Sequence, residues 1–146
     1  MTRYIRAAVS VWALVTGAAL FHASVGAQGK SVNDGVYSDA QAKRGTTVYA
    51  EHCASCHGEN LEGVADLFPA LAGPAFEKLW QGKSVGELFD KIATTMPALD
   101  PGSLKPEQNA DVTAFILSKS KYPAGAADLV ASADPLKQIQ IDAPKP

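Results

Sequence analysis

Apolar residues recur at every third or fourth position in several stretches of the chain, a spacing that predicts amphipathic helices. The first stretch, SDAQAKRGTTVYAEHC, begins with Ser38, a residue that suits the N-cap of a helix. Within this stretch Ala42, Gly45 and Tyr49 fall on one face. We therefore expect a first helix that begins next to Ser38 and turns this face towards a core.

Further helices are predicted after a loop that is rich in glycine and proline. A short helix in PAFEKLWQGK ends at Gly82. The segment SVGELFDKIATT opens with a capping box between Ser84 and Glu87 and carries an apolar stripe. The last clear helix, PEQNADVTAFILSKS, has Pro106 at its first position, and Lys105 stands where a Ser or Asp cap is expected. Because we find no repeat and no convincing strand pattern, the fold class is predicted as all-α.

The N-terminal segment follows a different pattern from the helical body. Arg3 and Arg6 precede an uncharged apolar run over residues 7–21, and small residues follow up to Ala27. This arrangement is typical of a secretory signal peptide. The run is shorter than the roughly 20 apolar residues that span a bilayer. We expect cleavage after Ala27, a periplasmic location and no stable membrane span after cleavage. The alternative is that the segment is retained as an N-terminal anchor.

The remaining residues divide into three parts by composition. Residues 28–37 are predicted to be a polar linker, residues 38–120 a single helical domain, and residues 121–146 a C-terminal tail. The tail alternates apolar residues with Pro and Gly, so we expect an extended segment with one short helical turn. A chain of 146 residues has room for one modest core, which agrees with a single domain.

Charge and composition narrow the possible chemistry. The balance of 13 basic and 15 acidic residues argues against a nucleic-acid-binding protein. Signal cleavage removes two of the 13 basic residues and none of the 15 acidic ones, so the exported chain has a net charge of −4. It also removes His22 and Met1, which leaves His52, His57 and Met96 as the histidines and methionine of the exported chain. This scarcity limits the choice of metal ligands.

Both cysteines lie in the motif CASCH, residues 53–57, for which several interpretations compete. A disulfide is compatible with an oxidising compartment. A redox-active thiol pair is typical of an α/β pattern, which this chain lacks. A zinc site needs four ligands, and His52, the histidine outside the motif, is poorly placed beside Cys53. The last interpretation is covalent attachment of a c-type haem, for which Cys-x-x-Cys-His is the signature.

Haem attachment fits the spacing best. Cys53 and Cys56 lie about one helical turn apart and can bond the two vinyl groups along one edge of a haem. His57 then places an imidazole nitrogen at the iron as proximal ligand. Export agrees with this interpretation, because c-type haem is attached outside the bacterial cytoplasm. We predict one covalently bound haem c per chain, with His52 as a surface bystander.

The other face of the iron needs a second ligand, and Met96 is the thioether that remains after signal cleavage. It lies in TTMPALD, directly after a predicted helix and before Pro97, in a loop stiff enough to direct its sulfur. The alternative role for a lone methionine is ordinary core packing. We predict His57 and Met96 as axial ligands. With both positions filled, the protein is expected to carry electrons and not to be an enzyme.

Over residues 38–120 the chain resembles the class I cytochromes c, through the stretches GTTVYAEHCASCHG, FPALAG, MPALD and ADVTAFIL. In that family the first and last helices cross where a glycine meets an aromatic residue. The resemblance implies such a crossing between Gly45, Tyr49 and Phe115. A glycine permits this close approach because it has no Cβ.

The resemblance implies one hydrogen bond to the proximal histidine, and the residues themselves suggest the rest of the haem surroundings. The carbonyl of Pro69 is expected to accept a hydrogen bond from His57 and to fix its ring. Trp80 is expected either to bond a haem propionate through its indole N–H or simply to pack as an aromatic residue. The residues expected to bury the haem and raise its potential are Tyr49, Leu71, Phe76, Phe89, Ile92 and Phe115.

The stretch MPALDPGSLKPEQNADVTAFILSKSKYPAGAADL looks like the haem domain of quinohaemoprotein alcohol dehydrogenases and like their small partner cytochromes. This likeness implies a carrier that takes single electrons from a quinoprotein dehydrogenase to the respiratory chain, through a terminal oxidase or another cytochrome. One alternative is a non-catalytic haem subunit of a dehydrogenase complex. Another is a haem protein that binds or senses a ligand by displacing Met96.

Overall fold

The computed structural model describes residues 30–146, so the predicted signal peptide, residues 1–27, lies outside the described residues. The described chain is mostly helical, as predicted, and no helix in it is long and apolar enough to cross a membrane. Its helices are α1 (Asp39–His52), α2 (Ala54–His57), α3 (Gly73–Trp80), α4 (Val85–Thr95), α5 (Pro106–Lys119) and α6 (Ala133–Leu136). A 3-10 turn (Val32–Asp34) and two short strands, β1 (Lys30–Ser31) and β2 (Ile139–Gln140), complete the list of elements.

The predicted starts of α1, α4 and α5 are confirmed, whereas α3 ends at Trp80 and not at the predicted Gly82. At α1 the hydroxyl of Ser38 accepts a hydrogen bond from a backbone N–H of the first turn, at 3.0 Å. At α4 the Ser84 N–H donates to the Glu87 carboxylate at 2.8 Å, and the Glu87 N–H donates back to the Ser84 hydroxyl at 3.2 Å. At α5 the Lys105 N–H donates to Gln108 Oε1 at 3.0 Å. The glutamine therefore forms half of a capping box, although lysine is a poor cap residue.

Helices α1 and α5 cross at Gly45, which confirms the contact implied by the resemblance. A Cβ at Gly45 would overlap the backbone carbonyl of Asp111 and would lie 2.8 Å from the Cβ of Phe115. One turn further along α1, the rings of Tyr49 and Phe115 pack with their centroids 5.1 Å apart. The absence of a side chain at Gly45 thus sets how closely the two longest helices approach.

The two ends of the described chain pack against each other and against the helical body. Val32 is fully buried and Tyr37 nearly so, in the segment predicted as a linker. In the segment predicted as a tail, Leu129, Leu136 and Ile141 are buried, and α6 provides the predicted helical turn. Strands β1 and β2 pair in parallel. The sequence pattern gave no indication of this pairing, because strands of two residues have no measurable period.

We call residues 30–37 and 122–142 together the terminal wrap. Its polar contacts are numerous and specific. The Gln41 side chain donates to the carbonyl of Leu129 at 3.0 Å and accepts from the Leu129 N–H at 2.6 Å. The Tyr37 hydroxyl donates to the carbonyl of Tyr122 at 2.5 Å. Arg44 on α1 also binds Asp128 of the wrap at 2.7 Å. The bonds of Gln41 and Arg44 attach the wrap to α1, and the bond between Tyr37 and Tyr122 joins the two segments of the wrap.

Candidate functional site

The motif CASCH forms a separate turn of helix at the end of α1. Cys53 caps helix α2, and its carbonyl accepts a hydrogen bond from the His57 N–H at 2.9 Å. Both thiols are free and partly exposed. After His57 the chain turns at Gly58, whose positive φ of 80° favours glycine. This turn directs the following loop back beneath the imidazole.

The His57 ring is buried and held by one hydrogen bond. His57 is 6% exposed, and its Nδ1 lies 2.9 Å from the carbonyl oxygen of Pro69. A carbonyl oxygen only accepts, so Nδ1 carries the proton and donates, while Nε2 keeps its lone pair. The bond implied by the resemblance is therefore present, and it leaves one ring nitrogen able to bind a metal. The Phe68 ring lies edge-on to His57, with 6.1 Å between centroids.

Two neighbouring cavities of about 320 Å³ and 100 Å³ open at this histidine. We call the two cavities together the cleft. Four residues line both cavities, which shows that the cavities lie side by side: Cys53, His57, Pro69 and Met96. The larger cavity is also lined by Cys56 and by the loops around Leu67 and Leu99. The cleft thus brings together both thiols, the imidazole and the thioether. Met96 lies 43 residues after Cys53 in sequence.

Met96 enters the cleft from the end of α4. Its N–H donates to the carbonyl of Ile92 at 3.0 Å, the last hydrogen bond of the helix, and its carbonyl accepts from the Gly102 N–H at 3.3 Å. The side chain is half-buried and packs against the core. The Met96 backbone is thus held by hydrogen bonds on both sides, at the end of α4.

The other residues expected around a haem separate into two groups. Leu71, Trp80 and Ile92 line the smaller cavity. The rest are buried elsewhere in the core and are not among the residues that line either cavity: Tyr49, Phe76, Phe89 and Phe115.

Tyr49 nevertheless supports the site indirectly. Its hydroxyl donates to the carbonyl of Gly58 at 2.6 Å and so holds the turn that follows His57. Burial raises the pKa of this hydroxyl to about 12, with smaller contributions from Cys53 and Glu62. The phenol therefore remains a protonated donor at any physiological pH.

Several lining residues were not predicted from the sequence. Val112 and Ile116 are one turn apart on α5 and line the smaller cavity together with Leu88 of α4. Their spacing in the predicted last helix was a usable signal, because residues at i and i+4 share a face. His52, expected to be a surface residue, is exposed and also lines the larger cavity.

The environment of Cys53 disfavours its thiolate form. Burial, and secondarily the neighbouring Cys56, raises the pKa of Cys53 to about 11. A redox-active cysteine pair depends on a lowered thiol pKa, so the shift at Cys53 runs against that interpretation. Within residues 30–146, no group of three or more His, Cys, Asp or Glu side chains comes together to hold a metal ion.

The residues present fit a haem. The cleft supplies two free thiols for thioether bonds, an imidazole with an available nitrogen and a soft thioether sulfur, between walls that are mostly aliphatic. Residues 40–116 match the protein family described as Cytochrome C oxidase, cbb3-type, subunit III, which is more than half of the chain. The chain belongs to this family. The cytochrome is thus an electron carrier, and Cys53 and Cys56 are consistent with one covalent haem c.

Two of the solved structures that match the cytochrome cover part of it. The crystal structure of the sulfane dehydrogenase SoxCD from Paracoccus pantotrophus matches with a TM-score of 0.49 and 24% identity, over 72% of this chain and 53% of that chain. Thiosulfate dehydrogenase (TsdBA) from Marichromatium purpuratum matches with a TM-score of 0.44 and 36% identity, over 53% of this chain and 17% of that chain. The cytochrome thus spans about half the length of the first match and less than a fifth of the second. A comparison with curated proteins found no match.

Proposed function

We propose that the protein is a periplasmic monohaem carrier in which Cys53 and Cys56 would tether the haem, and His57 and Met96 would bind its iron. The observation that supports this assignment is that His57 and Met96 line both cavities of one cleft, together with Cys53. The haem, when bound, supplies a one-electron couple. With the haem bound, the protein would accept one electron from a reduced donor and pass it to an oxidised acceptor, without transfer of a proton or an atom to a substrate.

The proximal side is organised by the Pro69 carbonyl. By accepting from Nδ1–H at 2.9 Å, it fixes both the tautomer and the orientation of the His57 ring. The same bond raises the basicity of Nε2 and strengthens it as a donor to iron. Since His57 is only 6% exposed, water has little access to compete for this position.

The distal side combines a soft ligand with apolar walls. A thioether favours the reduced form of iron and raises the potential above that of a bis-histidine site. Leu71, Ile92 and Ile116 line the smaller cavity and disfavour the additional positive charge of the oxidised form. The protein thereby favours a relatively high potential, which suits a carrier that accepts electrons from a dehydrogenase.

We further propose that the electron donor is a quinoprotein alcohol dehydrogenase and that the acceptor is a terminal oxidase or another cytochrome. The proposal is supported by the likeness of residues 96–129 to the haem domains of such dehydrogenases. In this view residues 1–27 direct export and residues 38–120 form the haem domain. If the protein dissociates from the dehydrogenase in moderate salt during co-purification, this agrees with a mobile electron carrier. If it stays bound through a salt wash, this agrees with a permanent haem subunit.

The ligand assignment is tested by replacing Met96. In Met96→Ala the near-infrared sulfur-to-iron charge-transfer band of the oxidised protein should disappear, and the reduced protein should bind carbon monoxide promptly. Val112→Ala, which changes another lining residue of the cleft, is the matched control and should keep the band. Prompt carbon monoxide binding by the unmodified reduced protein would contradict the assignment and favour a sensor with a displaceable Met96.

A further inference from the structure

The larger cavity of the cleft opens between two exposed leucines on separate loops. Leu99 is 98% exposed and Leu67 is 72% exposed, and both line the cavity that contains Cys53 and Cys56. Isolated exposed leucines are common on protein surfaces. Here, however, two of the most exposed large apolar side chains of the described chain flank the same opening. They contribute little to folding, because little of their surface is removed from water.

The charges next to this opening have one sign. Asp66 precedes Leu67 and Asp100 follows Leu99, and both carboxylates are exposed. His52 also lines this cavity, and Glu51 directly precedes it. A carboxylate oxygen of Glu51 lies 3.7 Å from Nε2 of His52. Every charged residue that directly precedes or follows a residue lining this cavity is therefore acidic.

The smaller cavity has charges of both signs next to it. Lys91 lines it, and the Lys83 ammonium lies 4.9 Å from the centre of the Trp80 ring that forms part of its wall. Lys78, which is exposed, precedes the lining residue Leu79. Glu87, Asp90 and Asp111, however, directly precede other lining residues of this cavity. The charges next to the larger cavity are therefore acidic alone, whereas those next to the smaller cavity have both signs, and a one-signed surface orients an approaching charged partner.

We propose that Leu67 and Leu99, surrounded by Glu51, Asp66 and Asp100, form the docking surface for a redox partner that presents an apolar patch ringed by basic side chains. We call this the leucine surface. The inference rests on the proposed carrier function and specifies the chemistry of its partner. Charge complementarity decides the occupant, since three carboxylates around an apolar centre attract a basic ring and repel an acidic one.

The composition of the surface suits a short-lived complex. Apolar contact between two leucines and a partner requires no desolvation of polar groups at the centre, and redox interfaces are small. The exposed carboxylates next to the leucines in sequence are expected to raise the rate of encounter more than the lifetime of the complex. Docking here also places the partner next to Cys53 and Cys56, the predicted haem tethers.

The test uses the reduced holo-protein and a small oxidant that carries the proposed partner chemistry. Tris(phenanthroline)cobalt(III) is an apolar trication; it takes one electron from the protein and becomes cobalt(II). Its rate of reduction, measured by stopped flow, should fall as ionic strength rises. The Leu67→Ser, Leu99→Ser double variant should react about tenfold more slowly, as the loss of two apolar contacts implies. Asp66→Asn with Asp100→Asn should weaken the salt dependence.

Two controls isolate the leucine surface. Hexacyanoferrate(III), a hydrophilic trianion, should oxidise the native protein and the leucine variant at similar rates. Val130→Ser changes a 50% exposed apolar side chain that lies in the terminal wrap and should leave the cobalt rate unchanged. The folded state of each variant is checked by its haem spectrum and its reduction potential.

Distinct results would overturn this proposal without affecting the carrier function. Equal cobalt rates in the native protein and the leucine variant, with normal oxidation by hexacyanoferrate, would exclude the leucine surface as a docking site. A shifted haem spectrum in the variant would show instead that the leucines pack on the haem. Dimerisation of the native protein that the variant abolishes, measured by sedimentation, would identify a second copy as the occupant. Failure of both oxidants to react would contradict the proposed function itself.

Discussion

The cleft and the terminal wrap are built in contrasting ways. The cleft is lined mainly by aliphatic side chains, and its central polar group, His57, is held by one side-chain hydrogen bond. In the wrap, by contrast, buried apolar residues alternate with paired polar contacts such as those between Gln41 and Leu129. The comparison indicates that the two regions have different roles. The wrap and the α1–α5 crossing stabilise the fold, whereas the cleft keeps its donor atoms available for the haem.

The largest effect on stability is expected at Gly45, where α1, which binds the wrap, crosses α5, which lines the cleft. Gly45→Ala places a methyl group into the backbone of Asp111 and should lower the free energy of unfolding by about 3 kcal/mol. Denaturant unfolding of the holo-protein, followed by circular dichroism, measures this loss. Ala50→Val adds bulk to an exposed position of the same helix and should cost only about 0.5 kcal/mol. Equal losses in the two variants would show that α1 and α5 can separate without strain.

The next effect tests whether the wrap stabilises the fold without affecting the cleft. Ile141 is fully buried, so Ile141→Ala should lower the free energy of unfolding by about 2 kcal/mol through lost burial and a cavity. Because the wrap does not line the cleft, the reduction potential should not change. Val130→Ala, at a half-exposed position of the wrap, is the control and should have little effect on either quantity. A shifted potential in Ile141→Ala would contradict the separation of the two regions.

The smallest effect concerns the pH dependence of the wrap. The pKa of Asp128 lies below its ordinary value of 3.8, first because Ser38 donates a hydrogen bond to it and second because of Arg44. A lowered pKa in the folded state adds stability above pH 3.8, and this stability is lost as the pH falls through the lowered pKa. The carboxylate is exposed, so the contribution is small.

Asp128→Asn should therefore reduce stability slightly at neutral pH and should flatten the acid side of the stability curve. Thermal unfolding from pH 3 to pH 7 measures both effects. Asp142→Asn, which changes another exposed aspartate near the C-terminus, is the control. An acid limb in Asp128→Asn as steep as that of the native protein would show that other carboxylates control the acid sensitivity.

The local rules of helix formation were enough to predict much of the fold. Ser38 and the Ser84–Glu87 box start their helices because they satisfy backbone N–H groups within one turn, and no distant residue changes that requirement. Gly45 was identified because the resemblance supplied a contact between helices far apart in sequence. The β1–β2 pairing was missed because its stability comes from packing against distant residues and not from a local pattern.

The distinction between local sequence signals and packing between distant residues also applies to the candidate site. The four predicted donor residues line one cavity. They could be predicted because the chemistry of a Cys-x-x-Cys-His motif and of a lone methionine follows from the residue types alone. The aromatic residues could be predicted as buried, and Tyr49 and Phe89 are buried. Periodicity, however, shows only that a face points inward and not which part of the interior it meets. The lining role of Val112 and Ile116 depends on where α5 lies relative to α4, which sequence periodicity does not determine.

The parallel pairing of β1 and β2 has a mechanical consequence. The two strands come from opposite ends of the described chain and run in the same direction, with Lys30 beside Ile139. A force that pulls the two ends apart therefore acts along the strands in opposite senses and loads their hydrogen bonds together in shear, whereas peeling would load them one after another. The contact of Asn33 with the carbonyl of Ala143, at 2.9 Å, shares the load. A cytochrome held under tension at both ends would thus resist extension at this junction before the load reached the haem cleft.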